Sequence, residues 1–261
     1  MSFHEHETKR TTVKRQPDDP RVTHLVRAGT IRVALFLPQY ANDPLTGELR
    51  GVGTGIAGIA FARALAAQIG IEARIDGYPT PAAVVESLKA GSCDMAFLGI
   101  EPSRAAELDF SPPLFQFDYS FLVPPGSSIQ RVPDADRSGL RIAVVRNHAS
   151  TLALSRIVTH AELIGSELPD AAFELLRAGG ADALAFPRDV LSNYSAKLPG
   201  SRVLEDSYGV NRVGAAIRKG QAGLLAYIGA FVAETKASGM IQRAIERGGL
   251  LGFRVEPDAK S

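Results

Sequence analysis

Four groups of residues in this 261-residue chain have types and spacings that chemistry could use. Arg104 stands three residues after Glu101, and its flat guanidinium fork is shaped to make a bidentate pair with a carboxylate. The plain alternative is a surface arginine at a helix start. Gly53-Thr54-Gly55-Ile56-Ala57-Gly58 matches the G-x-G-x-x-G spacing of a dinucleotide-binding turn, with Asp76 about where a ribose-binding acid would stand. Such a turn must follow directly on a strand. Here a Pro- and Asp-bearing loop intervenes after Leu37, so the glycines read as a loop that approaches a cleft or packs closely. His4-Glu5 begins like a zincin helix, but the second histidine would fall at Thr8, so His4 and His6 read as a solvated tail. Cys93, the single cysteine, lies in the run Cys93-Asp94-Met95-Ala96-Phe97-Leu98; it has no intrachain disulfide partner and is expected to fill core volume. No G-x-S-x-G elbow, Walker A loop, zincin pair or paired-cysteine metal motif occurs. No catalytic residue, metal or organic cofactor is therefore expected.

Composition limits the partners. With 29 Lys plus Arg against 28 Asp plus Glu, the net charge is +1, which sets up no field for a polyanion and argues against nucleic acid. A chain that is 45% hydrophobic and 22% charged has material for one large or two small cores. Residues 1–20, MSFHEHETKRTTVKRQPDDP, are polar throughout, and residues 1–23 are assigned to a flexible tail. A secretory leader needs a basic start, a continuous apolar stretch and a small-residue cleavage site, and none is visible. The chain as written reads as cytoplasmic, or else its start differs from that of an exported precursor.

The elements that must position these residues alternate between short apolar runs and longer helical patterns, which is the signature of an α/β fold with mainly parallel sheets. Strands are expected at 32–37, 73–76, 94–99 and 114–123, then at 141–145, 182–186, 203–204 and 213–217. Helices are expected at 55–69, closed by Gly70, and after Thr80 as cap with Pro81 at the first position, closed by Gly91. Others are expected from about Ser150, at 171–178, 224–236 and 240–247. The strand-helix-strand unit repeats on either side of residue 124, implying two similar lobes with a cleft between them, a favoured place for a small-molecule site.

The stretch Asp94-Met95-Ala96-Phe97-Leu98-Gly99-Ile100-Glu101-Pro102-Ser103-Arg104-Ala105-Ala106-Glu107-Leu108-Asp109-Phe110-Ser111-Pro112-Pro113 resembles the central motif of the family 3 bacterial solute-binding proteins: a strand, a turn, an arginine, then Asp-Phe-Ser-x-Pro. Further matches are Gly139 to Val145, Gly180-Ala181-Asp182-Ala183 and Ala216-Ile217-Arg218-Lys219-Gly220, so the resemblance covers about residues 28–250. It implies a two-lobed periplasmic-binding-protein fold of type II. Lobe 1 would comprise 24–123 plus 211–258, and lobe 2 would comprise 124–210, with two crossings as the hinge. It further implies a monomeric receptor of an ABC-type importer that closes on a small carboxylate or amino-acid-like ligand and meets a membrane permease, which would place it in the periplasm.

By the same resemblance, Arg104 grips the ligand carboxylate, Gly99 offers a backbone amide, and the turn Asn147, His148, Ala149 and Ser150 caps the carboxylate from the other lobe. Near the first strand Phe36, Gln39 and Tyr40 stand where the family has an aromatic wall, and Tyr40 is the stacking or hydrogen-bonding candidate, with loop packing as its alternative. The acid that pairs an α-amino group is expected at about position 187, where this chain has Pro187-Arg188-Asp189. The ligand then lacks an amino group, or Asp189 or Glu101 has taken over the role. A few members of the fold family are dehydratases acting on cyclic carboxylates; on that alternative Glu101 would serve as general acid, against a simpler role facing the positive end of a helix. A ligand-binding sensor is the third reading.

Overall fold

The computed structural model describes residues 17–37, 39–250 and 252–256. His4, Glu5 and His6 lie outside the described residues, as does Pro38, the expected end of the first strand. The first half of the chain forms α1 (Thr23–Ala28), β1 (Thr30–Phe36), a hairpin of β2 (Tyr40–Asn42) and β3 (Leu49–Gly51), and α2 (Thr54–Ile69). It continues with β4 (Glu72–Tyr78), α3 (Pro81–Lys89), β5 (Met95–Gly99), α4 (Pro102–Glu107) and β6 (Leu108–Phe110). The long β7 (Phe115–Val123) leads into β8 (Arg141–Val145), α5 (Ala149–Leu154), β9 (Glu162–Ser166), α6 (Pro169–Arg177), β10 (Ala183–Pro187), α7 (Arg188–Ser195) and β11 (Arg202–Val203). The chain returns through β12 (Gly209–Arg218) and closes with α8 (Ala222–Ala237), α9 (Met240–Arg247) and β13 (Arg254–Val255).

Local chemistry sets the boundaries. Thr80 accepts a hydrogen bond from the Ala83 amide at 3.2 Å, and Pro81, whose missing N–H costs nothing at a helix start, opens α3. Gly70 ends α2 in the left-handed region at φ 75°, which only glycine enters cheaply. Two arginine forks repeat one device. At the start of β1, Arg32 binds Asp94 through its amide at 2.8 Å and its guanidinium at 2.7 and 3.0 Å. At the start of β8, Arg141 binds Asp182 through its amide at 2.8 Å and its guanidinium at 3.2 Å. Each fork fixes the register between a first strand and the third strand of its unit.

The sheet runs β4-β1-β5-β12-β7-β10-β8-β9. β1 is parallel to β4 and β5, and β8 is parallel to β9 and β10. The long strands β7 and β12 join these two parallel sets. Phe115–Tyr119 of β7 pairs antiparallel with Gly209–Val213 of β12, then Tyr119–Leu122 pairs with β10. Val213–Ala216 of β12 goes on to pair with β5. Each set is covered on both faces. In the first, Phe61, Leu65, Phe97, Ile228 and Phe231 form one core, and Val84, Leu88, Cys93 and Leu98 form the other. In the second, Phe173, Leu176, Phe186 and Leu191 face Phe121, Ile142, Val144 and Leu154 across the strands. The two parallel sets of this sheet, each with its own pair of cores, make two lobes. Cys93 is buried, with its Sγ 3.1 Å from the Tyr78 hydroxyl.

Among the described residues no single helix is long and apolar enough to cross a membrane.

Candidate functional site

The carboxyl ends of the parallel strands converge from both lobes, the position where open α/β sheets place their ligands. Phe36 ends β1, Gly99 ends β5, His148 follows β8, and Phe186 and Pro187 end β10. Between them lies a cleft of about 640 Å³. Its walls include Gln39, Thr54, Phe97 and Arg104 on one side and Ala149, Asp189 and Val190 on the other. Asn211 and Val213 of β12 and Gly248, Leu250 and Phe253 after α9 complete it.

Arg104 projects from the short helix α4, and its guanidinium is buried. It donates to the Gly99 carbonyl at 3.3 Å and to the Asn147 carbonyl at 2.7 Å, so it touches both lobes. Asn147 presents that carbonyl from the left-handed region at φ 57°, which asparagine tolerates better than most side chains. Among the described residues Arg104 has no carboxylate within ion-pair distance, and burial pulls its pKa below the usual arginine value. A buried cation that spends two of five N–H donors on carbonyls has donors and uncompensated charge left for an anion.

The lobes meet beside it. A Cβ placed on Gly99 would stand 2.7 Å from the Ala149 Cβ and 2.4 Å from the Asn211 Oδ1. His148 caps α5: the Ser150 amide donates to its Nδ1 at 3.2 Å, and the Ser150 Oγ lies 2.7 Å from the same nitrogen. Its ring packs edge-on to Phe36 of the other lobe at 6.1 Å and tilted on Phe186 at 4.5 Å. Burial first, and the Arg104 charge second, lower its pKa to about 3, so the imidazole is neutral. This differs from the expected turn: the Ser150 amide is spent on the His148 ring and the His148 amide on Val145 at 3.2 Å, so neither is aimed at a ligand. The imidazole folds back where a small hydroxyl would leave that corner open.

Asp189, in the first turn of α7, lines the cleft, and its Oδ1 is buried without a hydrogen-bond partner. Desolvation raises its pKa to about 6, opposed by the amides of Val190 and Asp189. Arg188, next to it, is occupied structurally, donating to the carbonyls of Leu204, Glu205 and Asp206 at 2.7, 2.8 and 3.0 Å.

Three of the residues expected at the site lie or act elsewhere. Glu101 is buried but outside the cleft lining, where the half-exposed Arg156 of the other lobe holds it at 2.6 Å. Tyr40 is carried away by the β2–β3 hairpin, and its ring packs beneath Gly77. Gln39 does line the cleft, but its amide is consumed by Thr54 Oγ1 and the Phe97 carbonyl at 3.1 Å each, and its Oε1 accepts from the Phe36 amide at 3.2 Å. It pins the glycine loop, where Gly55 lies against the Gln39 carbonyl too closely for any side chain. That loop borders the cleft after β3, a hairpin strand paired antiparallel with β2 outside the main sheet, so the parallel-strand, turn and helix unit of a dinucleotide site is absent.

The sequence reading did not single out Asn211, Phe186, Phe117 or Phe253. Asn211 had a legible signal: in Gly209-Val210-Asn211-Arg212-Val213 the alternation puts a polar residue on the buried face with Val213. Its Oδ1 is buried without a partner. Among the described residues no three His, Cys, Asp or Glu side chains gather to hold a metal.

The chain is similar over most of its length to known proteins. The ABC transporter glutamine-binding protein GlnH of Bacillus subtilis (strain 168) is 26% identical over 242 residues, spanning 89% of this chain and 82% of that protein. Among solved structures, the solute receptor for L-cysteine of Neisseria gonorrhoeae superposes with a TM-score of 0.74 at 21% identity, covering 88% of this chain and 94% of that one. The ancestral amino acid-binding protein AncCDT-1, a precursor of cyclohexadienyl dehydratase, gives a TM-score of 0.72 at 24% identity over 87% of this chain and 97% of its own. These structures share the two-lobed fold. Residues 45–247 match the family described as bacterial extracellular solute-binding proteins, family 3, and the chain belongs to that family.

Proposed function

We propose that this chain is the solute receptor of an ABC-type importer and that its lobes close on a small amino-acid-like ligand. The observation that carries the reading is Arg104, a buried guanidinium in the cleft between the lobes with no carboxylate partner among the described residues. The ligand carboxylate would take its remaining donors as a charge-assisted pair. Asp189, with an unpartnered buried oxygen on the same cleft, would accept from the ligand's amino group in place of the acid missing at Pro187. Glu101 is a poor candidate for that role and for a general acid, because Arg156 already holds it away from the cleft. The reading is therefore of a binding protein that performs no chemistry on its ligand, working beside a membrane permease on the outer side of the membrane as the family description implies.

We put the division into lobes within the two long strands, at about Tyr119 of β7 and its register partner Gly209 of β12. Phe121, Leu122 and Val123 support this shift from the expected boundary after 123, since they pack in the cores of the second lobe.

The test is the thermal midpoint of the purified chain against small carboxylates with and without an α-amino group, repeated in Arg104→Ala. A ligand at 100 times its Kd stabilises by about 2.7 kcal/mol, a shift of a few degrees. Stabilisation by amino acids that vanishes in Arg104→Ala is expected; stabilisation that survives the substitution refutes the assignment of Arg104.

A further inference from the structure

Once a carboxylate and an ammonium are assigned, the charged groups of the cleft are used up. Arg104, Arg188 and Asp189 are the charged side chains among its described lining residues. Arg188 has its guanidinium turned onto three carbonyls of the Leu204–Asp206 loop. A third ligand charge would find no counter-ion there.

Uncharged polar side chains on the wall are Gln39, Thr54, Ser192, Asn193 and Asn211, and the rest of it is apolar and largely aromatic. The neutral His148 ring lies edge-on to Phe36 of the opposite lobe and tilted against Phe186. Phe117 and Phe253 pack together with centroids 4.6 Å apart on another part of the lining. Gln39, the long polar side chain on the wall, has its amide spent on Thr54, Phe97 and Phe36. A cleft of about 640 Å³ leaves room for a large side chain beside the ligand's carboxylate and ammonium.

We infer that the ligand is an α-amino acid with a large apolar, preferably aromatic, side chain, held by Arg104 at its carboxylate, by Asp189 at its ammonium, and by the phenylalanine-lined wall at its side chain. The inference rests on the binding-protein reading and adds the class of side chain to it. A basic or acidic side chain would lie buried without a partner, a penalty on the order of 100-fold or more in affinity. An aromatic ring would instead meet ring faces and edges at no such cost.

The experiment is calorimetric titration of the full chain, freed of co-purified ligand by unfolding and refolding, with L-phenylalanine, L-leucine, L-glutamine, L-arginine and L-glutamate. 3-Phenylpropanoate and phenethylamine serve as probes lacking the amino group and the carboxylate. L-Phenylalanine is expected to bind on the order of 100-fold more tightly than L-arginine or L-glutamate, with both truncated probes much weaker than L-phenylalanine. Phe186→Leu is expected to weaken L-phenylalanine while keeping the fold. If L-glutamine, L-arginine or L-glutamate binds most tightly and depends on Arg104, the binding-protein reading stands and the apolar-ligand inference falls. If 3-phenylpropanoate binds as tightly as L-phenylalanine, the ammonium assignment to Asp189 falls. If no carboxylate binds, both readings fall together.

Discussion

Adding one methyl group at Gly99 tests whether the lobes must meet where they do. The β-carbon of Gly99→Ala would sit 2.7 Å from the Ala149 Cβ, about 1 Å inside the normal separation of two carbons. It would also press on the Asn211 Oδ1 at 2.4 Å, though that amide can rotate, whereas Ala149 is fixed at the start of α5. Relief therefore comes most easily by parting the lobes at this point. Overpacking of this kind costs typically 1–3 kcal/mol, and because only the closed form suffers it, the cost appears as a roughly 5- to 150-fold loss of ligand affinity. The free protein can open and should keep its thermal midpoint within a degree or two. Calorimetric titration and thermal melting of the wild type and variant separate the two effects. An unchanged Kd would refute the argument, since it would mean the contact between Gly99 and Ala149 is not part of the bound state. A large drop in the midpoint of the free protein would refute it differently, by showing that the clash cannot be relieved by opening.

Asp189 supplies a pH signature. Its folded pKa of about 6 lies above the ordinary 3.8, so the folded state holds the proton more tightly and stability falls as pH rises from about 4 to 6. The full penalty above pH 6 is on the order of 2–3 kcal/mol. Asp189→Asn should therefore melt higher than wild type at pH 7.5 and nearly level with it at pH 4; a difference independent of pH would sink the idea. An ammonium ligand favours the carboxylate, so binding should release protons below pH 6, measurable by titration in buffers of different ionisation enthalpy. Arg104→Lys keeps the charge but loses the fork, and should retain less than a tenth of the wild-type affinity; full affinity would show that a point charge suffices. Glu101→Ala removes an ion pair between the lobes whose arginine is half exposed, worth about 1 kcal/mol at most, so the free protein should open slightly by small-angle scattering.

Much of the fold was legible because buried parallel strands are continuous apolar runs: β5, β8 and β10 are buried over nearly their whole length and stood out as such. β9 was missed because Glu162–Ser166 is half-buried and has only two large apolar residues. α7 was missed because its start, Arg188-Asp189 after Pro187, looks like a loop; it is held by Arg188 and by Tyr194, whose hydroxyl donates to Asp170 at 2.7 Å, contacts made far along the chain. Arg104 was found through its surrounding motif. Nothing local could show that Tyr40 turns under Gly77, because a three-residue hairpin strand decides it. The sharing of one cleft by Arg104, Asp189 and Asn211 depends on how β7 and β12 bring the lobes together, and no spacing within a single segment encodes that.

The hinge strands have a mechanical consequence. Because β7 and β12 are hydrogen-bonded to each other at the crossing and carried onward into both parallel sets, the lobes are joined by a paired ribbon and not by a slack tether. A twist of one lobe against the other would be spread over the paired residues Phe115–Tyr119 and Gly209–Val213 and would not fall on a single bond. A partner that parts the lobes would therefore have to twist a hydrogen-bonded ribbon, and could not do so by straightening a loose loop.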